Sequence, residues 1–156
     1  MVLELVIGVV LFIVLPILAM AIKITIEYER GVIFRLGRLL GVRGPGLFLI
    51  IPVIDSMVKV DLRITAIDVP RQRIVTKDNV TIDVDAVVYY KVFDPIKAIV
   101  NVEDYQIATS FIAQTTLRDV LGQVELDYLL QNRDELNKQL QKMIDESTEG
   151  WGIKVT

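Results

Sequence analysis

Asp83 and Asp85 stand two positions apart, and on an extended chain that spacing puts both carboxylates on one face, as a general acid–base pair requires. Ser56, Ser110 and Ser147 are nucleophile candidates, and a serine–lysine couple is a chemistry the composition permits. Gly41, Gly44 and Gly46 lie close enough together to suggest a phosphate cradle. None of these carries the rest of a machinery. The two aspartates have no pocket-forming motif or general-acid partner nearby and read as solvated strand residues. Ser110 falls in an apolar helical stretch, Ser147 near a helix end and Ser56 in a turn before a strand, with no oxyanion-forming glycine motif attached to any of them. The glycines lack both a following Lys-Ser or Lys-Thr and the Gly-x-Gly-x-x-Gly spacing, so turn geometry accounts for them. With no His and no Cys among 156 residues, the chain cannot build a Ser-His-Asp or Cys-His site, a haem or iron–sulfur site, or a thiolate or imidazole zinc site. These residue types predict a protein that is not an enzyme and that uses neither metal nor cofactor. A net charge of -3, from 17 basic and 20 acidic residues, predicts no nucleic-acid partner.

The elements that must position any functional surface begin with the apolar excess. Hydrophobic residues make up 53% of the chain, and the eighteen consecutive residues from Leu5 to Ile22 carry no charge. As a helix that run is about 27 Å long, close to the roughly 30 Å hydrocarbon core of a bilayer. Residues 1–26 are therefore expected to form a membrane anchor, with Leu5, Phe12, Pro16 and Ile22 in lipid. Pro16 lacks an amide hydrogen and crowds the preceding turn. A kinked single-pass span is expected, and a monotopic hairpin turning near Pro16 is the alternative, each arm of which would have only about ten residues. Ala19-Met20-Ala21 resembles a signal-peptidase site, but Glu4 is the only side-chain charge before the core and a signal peptide needs a basic start. Beyond the core, Lys23, Arg30, Arg35, Arg38 and Arg43 favour a cytoplasmic domain, with Glu27 and Glu29 interleaved. Tyr28, Arg30, Arg35, Arg38 and Arg43 are candidates for membrane-surface or lateral contact; solvated strand and loop positions are the alternative.

The remaining 130 residues, 27–156, carry the alternations and caps of one further domain. ITIEYERGVIFRLG reads as two extended segments divided around Arg30-Gly31, RLLGVRGPG as a loop, and LFLIIP as an apolar run ended by Pro52. SMVKVDLRI alternates with Val58, Val60 and Leu62 inward. A short extended piece, TAIDVP, stops at Pro70, and two strands then flank a turn at Asp78-Asn79. In the second, Val80 through Val92 alternates over seven inward positions, as in an antiparallel meander with one covered face. From Asp94-Pro95 the period becomes helical. Asp94 and Asp104 are suitable caps, and Ile107, Ala108, Phe111, Ile112, Thr115, Leu117, Val120 and Leu121 form the apolar face of the second helix before Gly122 ends it. Asn132 and Glu135 read as a capping box for a last helix, whose stripe of Leu136, Leu140, Met143 and Ile144 serves either sheet packing or contact with another subunit or partner. Ile153 and Val155 open a new alternation that stops after four residues, which reads as a domain continuing in a longer protein, with a short edge strand as the alternative.

Three stretches, EYERGVIFRLGRLLGVRGPGLFLIIPVID at 27–55, VDLRITAIDVPRQRIVTKDNVTIDVDAVVYYKVFDP at 60–95 and TTLRDVLGQVELDYLLQNRDELNKQLQKMIDESTEGWGIKV at 115–155, resemble the stomatin, prohibitin, flotillin and HflK/C superfamily, called SPFH or band 7. Within it the chain is most similar to prokaryotic stomatin homologues. The resemblance implies an α+β SPFH domain, with antiparallel sheet and packed helices, beside a cell membrane and preceded by one transmembrane helix. It also implies a homo-oligomeric scaffold that organises membrane microdomains or regulates membrane complexes, with an NfeD-type membrane protein or serine protease as partner. Members usually continue past the WGIKV strand into more sheet and a coiled coil, so 27–156 is expected to lack the C-terminal end of the domain.

Overall fold

All 156 residues, 1–156, are described by the structure, a computed structural model. The chain divides into two units, Met1–Asp61 and Leu62–Thr156.

The first unit opens with α1, Val2–Ala21, a helix of 20 residues that runs through Pro16 without a break. Its length is about 30 Å, its mean hydropathy is 2.9, and every side up to Met20 is exposed. This helix is long and apolar enough to cross a membrane, and an apolar surface exposed on every side is solvated cheaply by lipid. Pro16 lies inside the helix and does not end it. β1, Ile22–Thr25, starts at the next residue and pairs antiparallel with β4, Gly46–Leu49. β2, Glu29–Arg35, lies between β3, Arg38–Arg43, and β5, Asp55–Asp61, in an antiparallel sheet of three strands.

Several strand boundaries differ from the sequence reading. The division falls at Ile26–Tyr28, leaving Arg30-Gly31 inside β2. The glycine-rich stretch is two strands with a bend between them: Gly41, at φ 152°, sits where the β2–β3 register shifts and Leu40 is extra, and Gly46 opens β4 at φ 119°. These backbone angles need glycine, so the residues that suggest a loop serve a bulge and a strand start instead. Val58, expected inward, is exposed on the edge strand β5, while the central strand hides Val32 and Ile33 and Leu36 sits at the exposed β2–β3 turn.

The second unit is an antiparallel sheet in the order β6-β7-β8 covered on one face by helices. β6 is one strand, Thr65–Val75, running through Pro70. Val69 pairs with Ala86 and Gln72 with Val84, so Pro70 and Arg71 together oppose Asp85. That bulge on an edge strand tolerates a residue without an amide hydrogen, which is why Pro70 does not end the strand. β7, Thr81–Val92, alternates as expected, with Val88, Tyr90 and Val92 buried. β8, Ile153–Val155, pairs with its last three residues. Asp94 and Asp104 cap α2, Pro95–Val100, and α3, Tyr105–Leu121, by accepting from first-turn amides. α4 is Leu126–Gln131 and α5 Arg133–Thr148.

α3 buries Leu117, Val120 and Leu121 as expected, but its first half turns a different face inward from the one its large residues suggest. Thr109, Ala113, Thr116, Leu117, Val120 and Leu121 are buried, whereas Ile107 and Phe111 are exposed. Close approach of a helix to the sheet selects small side chains, so Thr109 and Ala113 reach complete burial. The capping box also fails to form: Asn132 follows α4 directly and its side-chain amide donates to Tyr128 O at 3.2 Å, leaving no side-chain cap on α5.

Candidate functional site

The membrane-proximal surface is built where α1 meets β1. The last helical carbonyl, of Ala21, accepts the Ile50 amide at 2.9 Å, and Ala21 is buried. The helix end is thereby fastened to the end of β4 with no linker between helix and ribbon. In the β1–β4 register Ile22 faces Leu49 and Ile24 faces Leu47, and directly opposed residues share a face. All four are exposed, Ile24 at 62% and Leu47 and Leu49 at 69% each. The opposite face turns inward, where the Phe48 ring lies 3.4 Å from the place a Cβ on Gly31 would occupy, beside Met57. The ribbon is thus amphipathic in an inverted sense, its bulky aromatic covered and its aliphatic pairs bare.

A second apolar surface caps the turn between β4 and β5. Val53 is 100% exposed and holds φ 72°, a conformation that a β-branched residue adopts at a cost of about 1–3 kcal/mol. Leu36 donates its amide to Ile54 O at 3.1 Å, joining the β2–β3 turn to this one. Arg35 and Asp55 clamp the pair of turns, with Nε to Oδ1 at 2.8 Å and Nη2 to Oδ2 at 3.2 Å, and Asp55 Oδ2 also accepts the Ile51 amide at 3.0 Å. The guanidinium hydrogen bond and the Ile51 amide hold the Asp55 carboxyl below its ordinary range, and the carboxylate in turn raises Arg35.

The basic residues singled out from sequence divide by role. Arg30 Nη1 donates to Glu27 O at 2.8 Å and Glu29 O at 2.9 Å, so it secures the β1–β2 turn. Arg35 is engaged by Asp55, while Arg38 and Arg43 are exposed at the two ends of β3, and Tyr28 is exposed before β2. Of the anchor residues, Leu5, Phe12, Pro16 and Ile22 are all exposed. In the second unit, Leu136 and Ile144 are buried, Leu140 lines a groove of about 380 Å³ beside Leu117 and Val88, and Met143 is exposed. The catalytic look-alikes are scattered: Asp83 pairs with Arg73 at 3.1 Å, Ser147 Oγ donates to Met143 O, and Ser110 Oγ accepts from Gln114. The bare ribbon and the Val53 turn escaped the sequence reading, although Leu47 and Leu49 alternating about Phe48 was the available signal.

Residues 23–156 match the model of the SPFH domain / Band 7 family. The chain belongs to that family. Its relatives include an uncharacterized protein of Archaeoglobus fulgidus, 61% identical over 150 residues that cover 96% of this chain and 60% of the relative. A stomatin homologue of Pyrococcus horikoshii is 59% identical over 149 residues, covering 96% of this chain and 56% of that protein. A stomatin homologue of Pyrococcus abyssi is 60% identical over 148 residues, covering 95% and 55% respectively. The band 7 chain thus spans little more than half the length of these relatives. The band 7 match starts at Lys23, just after α1, so it includes the ribbon except Ile22, the clamp and the whole second unit.

Proposed function

We propose that this chain is the membrane-anchored portion of a self-associating scaffold that organises its surroundings by binding and not by catalysis. The observation that carries the reading is α1, an apolar helix of 20 residues exposed on every side that feeds directly into β1. Residues 1–26 act as the anchor, with Leu5, Phe12, Pro16 and Ile22 in lipid, and 27–156 as an SPFH domain that extends further in a longer protein. Arg38 and Arg43 meet anionic head groups at about 1 kcal/mol each, beside Tyr28 and the turns held by Arg30 and Arg35. Met143 and the open side of Leu140 contribute to contact between copies or with a partner, on a helix that Leu136 and Ile144 hold in place. An NfeD-type membrane protein or protease is the heterologous partner, a reading supported by the family resemblance alone. Cytoplasmic placement follows from the basic flank.

Oligomeric mass in mild detergent, measured for this chain and for one as long as its relatives, tests the proposal. The expected outcome is a defined homo-oligomer for the longer chain and a smaller one for residues 1–156; monomers in both cases overturn it. Co-purification of a stoichiometric second protein marks the heterologous contact, and protease accessibility in sealed vesicles reads sidedness.

A further inference from the structure

We infer that the bare apolar surface of the first unit sorts this protein toward strongly curved membrane, by wedging into the leaflet on the side of the folded domain. The inference rests on the reading of α1 as a membrane anchor. α1 is about 30 Å long, the thickness of the hydrocarbon core, so whatever is fastened to its C-terminal end lies at the head-group boundary of one leaflet. Two surfaces are fastened there. The ribbon begins at Ile22 with Ala21 O held by the Ile50 amide, and Met20, in the last turn of the helix, lines a cavity of about 260 Å³ together with Pro52 and Val53.

The depth of the ribbon follows from its hydrogen bonds. β1 and β4 form a sheet of two strands, so each has an outer edge of backbone groups that require water or head groups and exclude the ribbon from the hydrocarbon core. Its face of Ile22, Ile24, Leu47 and Leu49 requires the reverse, removal from water. The boundary between acyl chains and head groups satisfies both. Val53 adds a fully exposed apolar tip in a strained conformation.

α1 crosses both leaflets and adds cross-section to each. The ribbon and the tip add it to one leaflet only. Side chains inserted at that depth find room where lipids are splayed apart, as in the convex leaflet of a curved bilayer. The ribbon face contains no charged residue, so this preference depends on packing defects and persists in uncharged lipid.

The test uses the full chain, which has no native cysteine, labelled through T156C by a membrane-impermeant dye added from outside. Only molecules with the domain outward are then counted in giant vesicles of zwitterionic lipid from which a nanotube is pulled. The expected density on a tube about 40 nm wide is about threefold that on the parent vesicle. L47S/L49S brings the ratio to about one, and V53G, a substitution suited to the positive φ, lowers it to about two, while both variants stay in the membrane through an alkaline wash. A wild-type ratio of one overturns the inference, as does an unchanged ratio in both variants. So does dissociation of an oligomer by L47S/L49S with sorting intact, which would assign the ribbon to a second copy. Loss of the wild-type chain in the alkaline wash is a separate result, because it removes the anchor reading itself.

Discussion

In the second unit, β7 turns Val88, Tyr90 and Val92 under the helices and leaves Asp83, Asp85, Val87, Tyr89 and Lys91 on the other face. In the first unit, the ribbon covers Phe48 and Lys23 at least in part and leaves Ile22, Ile24, Leu47 and Leu49 bare. The two sheets follow the same alternation rule and apply it to different solvents. The outer face of β7 mixes its aspartates with the half-exposed Val87, whereas the outer face of the ribbon is aliphatic throughout. Exposed aliphatic pairs would weaken a soluble domain; beside α1 they form the surface that we infer lies at the bilayer boundary.

The comparison breaks most readily at Gly152. This residue holds φ 69°, and a Cβ there would stand 2.3 Å from Asp94 O, while its carbonyl accepts the amides of Phe93 and Asp94 at 2.8 and 3.2 Å. Gly152→Ala is expected to destabilise the second unit by about 3 kcal/mol or more, read by urea unfolding through Trp151, the only tryptophan. Membrane retention through α1 is expected to be unchanged. An equal loss of retention would show that the two units do not work separately.

A smaller effect is expected at the Arg35–Asp55 clamp. The folded Asp55 carboxyl titrates below its unfolded value of about 3.9, so its contribution is complete above that value and is lost as pH falls through the folded pKa. Protection of the Ile51 amide, which donates to Asp55, relative to its intrinsic exchange rate should fall as pH drops through that lowered pKa. In Arg35→Ala the protection of Ile51 is expected to fail at higher pH than in the parent, because the guanidinium no longer favours the ionised carboxyl. Identical exchange profiles for the parent and the variant would remove the clamp from the account of the Val53 turn.

The smallest expected change sharpens the comparison from inside the second unit. Thr109 Oγ1 is buried without a hydrogen-bond partner. Thr109→Val replaces that hydroxyl with a methyl of similar size, and a gain of about 1 kcal/mol is expected in the same urea measurement. A loss of stability would mean that the hydroxyl has a role the packing does not reveal.

The legible parts of the fold were those decided locally. The helix caps at Asp94 and Asp104 form as read, since each needs only its own first-turn amides. The alternation of β7 is likewise a property of one strand. The inward face of the first half of α3 was not legible, because Ile107 and Phe111 are larger than Thr109 and Ala113 and hydrophobicity alone favours them; the distance between helix and sheet reverses the choice. Asn132 has the composition of a capping box, yet α4 ends against it and takes its side chain. At the candidate surface, residue types identified the arginines but not that Arg30 and Arg35 are engaged at turns, while Arg38 and Arg43 stay exposed.

By itself the sequence determined that the uncharged run from Leu5 to Ile22 is a segment long and apolar enough to cross a membrane. It determined too that Ser-His, Cys-His and thiolate chemistry are absent, because the side chains for them are. Only the tertiary structure decided which faces of the remaining strands are covered. Alternation divides a strand into two faces and is silent on which one finds a neighbour; for the ribbon that depends on Gly31 and Met57 receiving Phe48 across the fold. Covering Phe48 left four aliphatic side chains uncovered beside the anchor.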